Sequence, residues 1–306
     1  MKAIAAAALL ISLGGCVGRP TPPPGPVTPP PAAGQPLAPP PPTIVARDIF
    51  ALAGEVTQGG LLRGTAPTGT ALLMLDGKPV RFAPDGRFLM AFDRDQGPNA
   101  LIEARLADGR LLRLPLSVTP RAWDISSLPT LQRGTSPSPE FQRIRGAEVA
   151  QIAAAKAMNA DSQGWRQQFI WPATGRISTL FGSQRIYAGV PGSYHGGIDI
   201  AKYANGPAID GTPARSPADG VVVLATDHPF TLEGNLVLID HGMGLISALM
   251  HLSKIEVVAG QHVRQGDEIG LIGATGRVTG PHLHWGLTWA GARLDPLLLA
   301  GTMPTH

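Results

Sequence analysis

A chain of 306 residues has room for two modest domains, and its 25 basic and 22 acidic side chains leave a net charge of only +3. That balance excludes the dense basic surface of a nucleic-acid binder, so no nucleic-acid partner is expected. The one cysteine, Cys16, excludes an intrachain disulfide, and the folded parts must stand on their apolar cores.

Residues 1–16 open on Met-Lys and an apolar run, Ala3 to Leu13, too short to span a bilayer but suited to the hydrophobic part of an export signal. The ending Leu13-Gly14-Gly15-Cys16 resembles a bacterial lipobox, which implies cleavage before Cys16 and lipidation of that residue. The expected location is the periplasm, with a lipid anchor in the envelope at the outer membrane. Ordinary signal cleavage, with Cys16 incidental, is the alternative. Residues 17–43 follow, with Pro22-Pro23-Pro24, Pro29-Pro30-Pro31 and Pro39-Pro40-Pro41-Pro42. Proline fixes φ and removes donors, so a disordered, stiff tether is expected, with a polyproline II reach on the order of 80 Å.

Over 44–121 short apolar runs are punctuated by Asp76-Gly77, Asp85-Gly86 and Asp108-Gly109. Asp-Gly between alternating segments is a hairpin signal because both residues tolerate positive φ. Phe88, Met90 and Phe92 share one face and Leu112, Leu114, Leu116 and Val118 another, which predicts half-buried strands in a small β-sandwich, immunoglobulin-like in class. It holds no cluster of acids, histidines or nucleophiles, so a spacer or wall-recognition role is expected.

Residues 122–167 form a connector with a helix over about 139–158. Ser138-Pro139-Glu140 supplies an N-cap, a first-turn proline and an acid, and Phe141, Ile144, Ile152 and Ala155 fall on one helical stripe, broken by Glu148. Packing against a domain is the expectation; occlusion of a groove is the alternative.

Residues 168–300 are again β-rich, with strands predicted at 177–181, 220–226, 235–240, 245–251, 255–259, 268–272 and 282–288. Seven short strands separated by Gly-rich turns predict an antiparallel sheet folded on itself. The stretch 263–270 also resembles the hairpins of lipoyl and biotinyl carrier domains, but the tip lysine such carriers need is missing between Gly266 and Gly276.

The chemistry concentrates in Tyr194-His195-Gly196-Gly197-Ile198-Asp199 and Gly280-Pro281-His282-Leu283-His284-Trp285-Gly286. In a strand, residues two apart project from the same face about 7 Å apart, so His282 and His284 face one point. His195 and Asp199 could join them, giving a two-histidine, one-aspartate site that suits zinc with a fourth position open to water. His251, in Leu249-Met250-His251-Leu252-Ser253, adds another imidazole. Which of His282 and His284 is a ligand stays open on spacing alone. Asn235, Arg185, Tyr187 and Tyr194 fall near these motifs and either line a groove or serve turns and packing. His241, His228, His262 and His306 read as turn, loop, hairpin and terminal residues. Trp285, Leu287 and Trp289 lie on the face opposite His284, a core-packing position.

Together with Asp240-His241-Gly242 and Gly276-Arg277, these motifs resemble the LytM or lysostaphin-like zinc endopeptidases of family M23, from about Phe169 to Pro296. The resemblance implies a duplicated hybrid-motif β fold and one Zn2+ per chain held by His195, Asp199 and His284. It also implies an acid/base pair, His251 and His282, and peptidoglycan peptide stems as substrate. A zinc-bound water with its pKa lowered to about 7 would be the nucleophile. The rival is a non-catalytic LytM-like factor that binds and activates a cell-wall amidase. Such relatives lose metal ligands, whereas this chain has the full set. A purely structural tether leaves the five placed polar residues unexplained. Division or wall-synthesis partners, the bond cleaved and the oligomeric state have no signature in the residues.

Overall fold

The computed structural model describes residues 43–45, 49–131 and 138–304. The export signal, Cys16, the proline-rich tether up to residue 42 and His306 lie outside the described residues. The described residues form one compact unit, and strands dominate it.

Its amino-terminal part is the expected sandwich of two sheets. One sheet runs Thr43–Val45, Leu111–Ser117, Asn99–Leu106, Thr70–Leu75, Lys78–Val80, and the other Ala51–Gly54, Leu61–Thr65, Arg87–Ala91. Asp76 and Gly77 both take positive φ (49° and 74°) and join Leu75 to Lys78 in a two-residue turn, as Asp-Gly allows. At Asp85-Gly86 and Asp108-Gly109 only the glycine is left-handed. The strand Leu111–Ser117 alternates buried and exposed as its sequence predicts.

Arg87–Ala91 departs from the half-buried expectation, because Leu89 and Ala91 are buried as fully as Phe88 and Met90. The cause is a second contact. Arg63, paired across the sheet with Leu89, donates to the carbonyls of Trp165 (3.2 Å) and Gln167 (3.1 Å), so the outer face of this sheet is covered by the carboxy-terminal part.

That part is built on a wholly antiparallel sheet in the order Arg176–Thr179, Gly197–Ala201, Leu283–Trp289, Leu245–Ile255, Asn235–Asp240, Gly220–Ala225, His262–Val263. Pro213–Arg215 pairs with Glu268–Ile272, which joins Leu245–Ile255, and Ala292–Leu294 edges Leu283–Trp289. The strand predicted at 255–259 does not form. Leu245–Ile255 runs on through Lys254 and Ile255, and the chain then turns, with Val258 exposed to solvent on no partner strand.

The strand Gly197–Ala201 has no counterpart among the predicted strands. Its signal is the pair Ile198 and Ile200, both completely buried, alternating with Asp199 on the other face. Ile125–Leu128, in the expected connector, pairs in parallel with Gln184–Tyr187, so the connector is partly sheet.

The helix Pro139–Ala157 matches its prediction closely. Ser138 Oγ accepts from Phe141 N at 3.1 Å, with Pro139 and Glu140 in the first turn. Its contact face does not match. Ile144 is exposed, Phe141 and Ile152 are half-buried, and the residues driven inside are Ala155 and Glu148, the one that broke the apolar stripe. The helix lies over Gly220–Ala225 and Asn235–Asp240, above a small core of Val223, Phe230, Leu236, Leu238, Ile246 and Ala248. The main core is continuous from Phe50 in the sandwich to Leu299 near the carboxy terminus, so the two modules share one hydrophobic interior.

Candidate metal centre

Pairing places the site. Asp199 lies directly across from His284 in the antiparallel ladder, and His284 lies across from Met250 on its other side. Residues directly opposite share a face, so the Asp199 carboxylate and the His284 imidazole meet on the open side of the sheet. His195 precedes the strand and is pinned by backbone bonds: its N–H donates to Ser183 O (2.8 Å) and its carbonyl accepts from Gly182 N (2.9 Å). His195 Nε2, Asp199 Oδ1 and His284 Nδ1 then stand 2.9 Å from one another around a common point. His282 is more distant, its Nε2 3.7 Å from Asp199 Oδ1.

The three atoms have the chemistry of a metal set. His195 Nδ1–H donates to Leu180 O at 3.1 Å, which leaves Nε2 with a bare lone pair aimed at Asp199 and His284. Lone pairs this close repel unless a cation lies among them, and two imidazoles plus one carboxylate suit zinc. Burial alone would raise the Asp199 carboxyl, but the two imidazoles beside it outweigh burial whenever they turn protons toward it, and they hold the group well below the carboxylate range. Burial pushes the His284 imidazole down, opposed by the negative charge of Asp199 beside it.

His251 arrives by a different route. Leu249 pairs with Val237 and Leu252 with Asn235, so Met250 and His251 together face a single residue, Leu236, in a β-bulge. Simple alternation would aim His251 away from Met250 and into the main core. Instead its φ is +66°, a strained conformation for a side-chain-bearing residue, and the imidazole is re-aimed toward His282, with ring centroids 4.8 Å apart. Its Nδ1 lies 3.0 Å from Thr275 O, and Nδ1 of His282 lies 2.8 Å from Gly280 O. A carbonyl only accepts, so each ring carries its proton on Nδ1 and turns an unprotonated Nε2 toward the site. Burial, followed by the neighbouring His282 and His284, pushes His251 down to about 4, so it is neutral at physiological pH.

The structure separates the remaining candidates. Tyr194 does not line the site: its hydroxyl donates to Asp93 Oδ1 of the sandwich at 3.1 Å, and its ring packs beneath Arg94 and Arg293. Asn235 donates to Leu252 O at 2.8 Å and so locks the bulged strand beside His251. Arg185 and Tyr187 belong to Gln184–Tyr187, whose neighbours are Val190–Pro191 and Ile125–Leu128.

His241 is a core residue, wholly buried, bonded to Asp219 O (2.8 Å) and Ser247 Oγ (2.7 Å). His228 and His262 are exposed. Trp285, Leu287 and Trp289 are buried on the far face, as alternation from His284 requires. The orienting carbonyls of Leu180, Thr275 and Gly280 are invisible in the sequence, because a backbone acceptor has no residue-type signature.

Residues 193–296 match peptidase family M23. A peptidoglycan DD-endopeptidase of Vibrio cholerae serotype O1, ShyA, is 42% identical over 123 residues, covering 40% of this chain and 27% of the relative. The cell division protein DipM of Caulobacter vibrioides is 34% identical over 145 residues, covering 47% of this chain and 22% of the relative. This chain thus spans about a quarter of the length of these curated relatives. A crystal structure of a Pseudomonas aeruginosa protein described as a peptidase M23 superposes with a TM-score of 0.60 at 28% identity. It covers 81% of this chain and 96% of that one, so the likeness extends well beyond residues 193–296.

Proposed function

Proceeding from the M23 peptidase domain at residues 193–296, we propose that this protein is a zinc-dependent endopeptidase that hydrolyses peptide cross-links of peptidoglycan. The observation that carries it is the convergence of His195 Nε2, Asp199 Oδ1 and His284 Nδ1 at 2.9 Å, with two further imidazoles on the same face. These three residues would hold the ion, which when bound supplies a Lewis acid for the scissile carbonyl and lowers the pKa of water to about 7.

The chain's own groups handle the protons. Nε2 of His251 and of His282 are free to accept, and burial keeps His251 in the base form near neutral pH. A proton taken up there can be returned to the leaving amine from the same nitrogens. The carbonyls of Thr275 and Gly280 hold both rings in that tautomer, and the bulge at His251 fixes its approach. The relatives named as DD-endopeptidases support cross-linked peptide stems as the substrate.

The experiment is mass spectrometry of fragments released from purified sacculi by protein lacking residues 1–43, with and without chelator. Chelator-sensitive release of cleaved stem peptides supports the enzyme. Zinc-free protein with no release, yet stimulation of an amidase, would favour the regulator. The anchor at Cys16 is part of the same proposal. Cys16→Ser should release the protein from membranes, and unchanged fractionation would remove the lipid.

A further inference from the structure

The helix Pro139–Ala157 is attached in an unusual way. Its larger apolar residues are poorly used, with Ile144 and Val149 exposed, while a carboxylate, Glu148, is almost completely buried. A buried charge costs free energy unless every lone pair finds a partner, so Glu148 must be held for a reason other than helix packing. Glu148 Oε1 accepts from Thr231 N and Oε2 from Thr231 Oγ1, both at 2.6 Å, and Arg145 Nη1 adds a third bond at 3.0 Å. Arg145 then makes a two-pronged pair with Glu233 at 2.6 and 2.7 Å.

Both grips close on one short hairpin. Phe230 and Gly234 exchange backbone bonds at 2.9 Å, and Thr231 and Glu233 lie between them. This hairpin reaches His251 directly at one point and through Thr275 at another. The Glu233 carbonyl accepts from His251 N at 2.9 Å, at the very residue whose φ is left-handed. Gly234 packs so tightly on Thr275 that a Cβ there would lie 2.3 Å from Thr275 Oγ1 and 2.4 Å from its carbonyl oxygen, the atom that accepts from His251 Nδ1. Backbone and ring of His251 are thus both referenced to a hairpin clamped by the helix.

We propose that Arg145 and Glu148 are positioning residues for turnover, setting the bulged conformation and ring direction of His251 through Thr231 and Glu233 while touching neither metal ligands nor substrate. The inference rests on the reading of His251 as an acid/base group. Loosening the clamp lets the hairpin drift, and a misplacement of the order of 1 Å in a reacting group costs up to about a hundredfold in rate.

The test compares Arg145→Met, Arg145→Lys and Glu148→Gln with the parent protein, all with zinc bound. Three quantities are measured: zinc per chain, kcat and KM on purified cross-linked muropeptides, and amide hydrogen exchange across 230–234 and 249–253. For Arg145→Met the expected result is unchanged zinc, KM within about twofold, and kcat lower by about tenfold to a hundredfold. Exchange at the His251 amide should rise by about tenfold as its local opening becomes easier. Arg145→Lys keeps the charge without the planar fork and should recover part of kcat. Glu148→Gln preserves shape and serves if Arg145→Met does not fold.

An unchanged kcat, or unchanged exchange over 249–253, in a folded variant overturns the proposal, as does loss of zinc in step with kcat. If the parent protein itself releases nothing from muropeptides, the endopeptidase reading fails, while the exchange rates still decide whether the helix controls His251.

Discussion

Two histidines of this chain, His241 and His251, are pushed down to about 4, burial being the leading cause for both, and they call for opposite tests. His241 is a stability element. Its folded pKa lies below the ordinary value of 6.5, so its contribution is present above that value and is lost as pH falls from 6.5 through about 4. The loss is on the order of 3 to 4 kcal/mol, since each tenfold weakening of proton binding in the folded state corresponds to roughly 1.4 kcal/mol. Denaturant melts at pH 7 and 4.5 should show the drop, and His241→Gln should flatten it. An equal slope in the variant would assign the pH dependence elsewhere. On the proposed function, His251 is instead a turnover element. His251→Ala should keep zinc and lose activity by about a hundredfold or more. His195→Ala, Asp199→Ala and His284→Ala should each lose both, as read by elemental analysis of the purified variants. The same-face relation of His282 and His284 is legible in the sequence, since a period of two is a property of any strand. The direction of His251 is not, because it depends on a bulge created by register with Asn235–Asp240 and on one left-handed φ.

Among the elements, the strand Gly197–Ala201 tolerates little change. Its first residue has no room: a Cβ on Gly197 would stand 2.4 Å from the Trp285 carbonyl oxygen and 2.7 Å from His284 Nε2. Backbone cannot yield as a side-chain end can, so Gly197→Ala should part this strand from Leu283–Trp289 and separate Asp199 from His284. The expected outcome is zinc content reduced at least about tenfold, because a ligand displaced from its partners no longer closes the site. Retention of full zinc would show that the strands can part without disturbing the centre. Two isoleucines flanking an aspartate make too short an apolar signal for this strand to be legible in the sequence. The helix is the reverse case. Its caps are local chemistry and are readable to within a residue, whereas its seating depends on Thr231 and Arg145, and no helical periodicity reports a buried Glu148.

At the level of the whole molecule, the sandwich and the carboxy-terminal sheet are legible as separate β-rich stretches but not as partners. Their union rests on side chains that look like surface charges in the sequence. Arg94, almost fully buried between the rings of Trp123 and Tyr194, donates to Gly182 O (3.2 Å), whose own N–H holds the His195 carbonyl. Arg121 meets Asp295 at 2.7 Å, and Asp93 accepts from both Tyr194 and the backbone of Arg293. A fragment starting near Ser138 would keep the helix but strip the sandwich from Trp165, Phe181 and Tyr194. It should melt well below the full chain and bind zinc more weakly, as followed by circular dichroism and metal titration. A fragment as stable as the parent would make the sandwich a passenger.

The interior that runs unbroken from Phe50 to Leu299 sets how this protein comes apart. Neither half can lose its order without opening the other to water, so heating the folded chain should give a single endotherm with matching calorimetric and van't Hoff enthalpies. The proposed cleaving activity and sandwich integrity would then vanish at the same temperature.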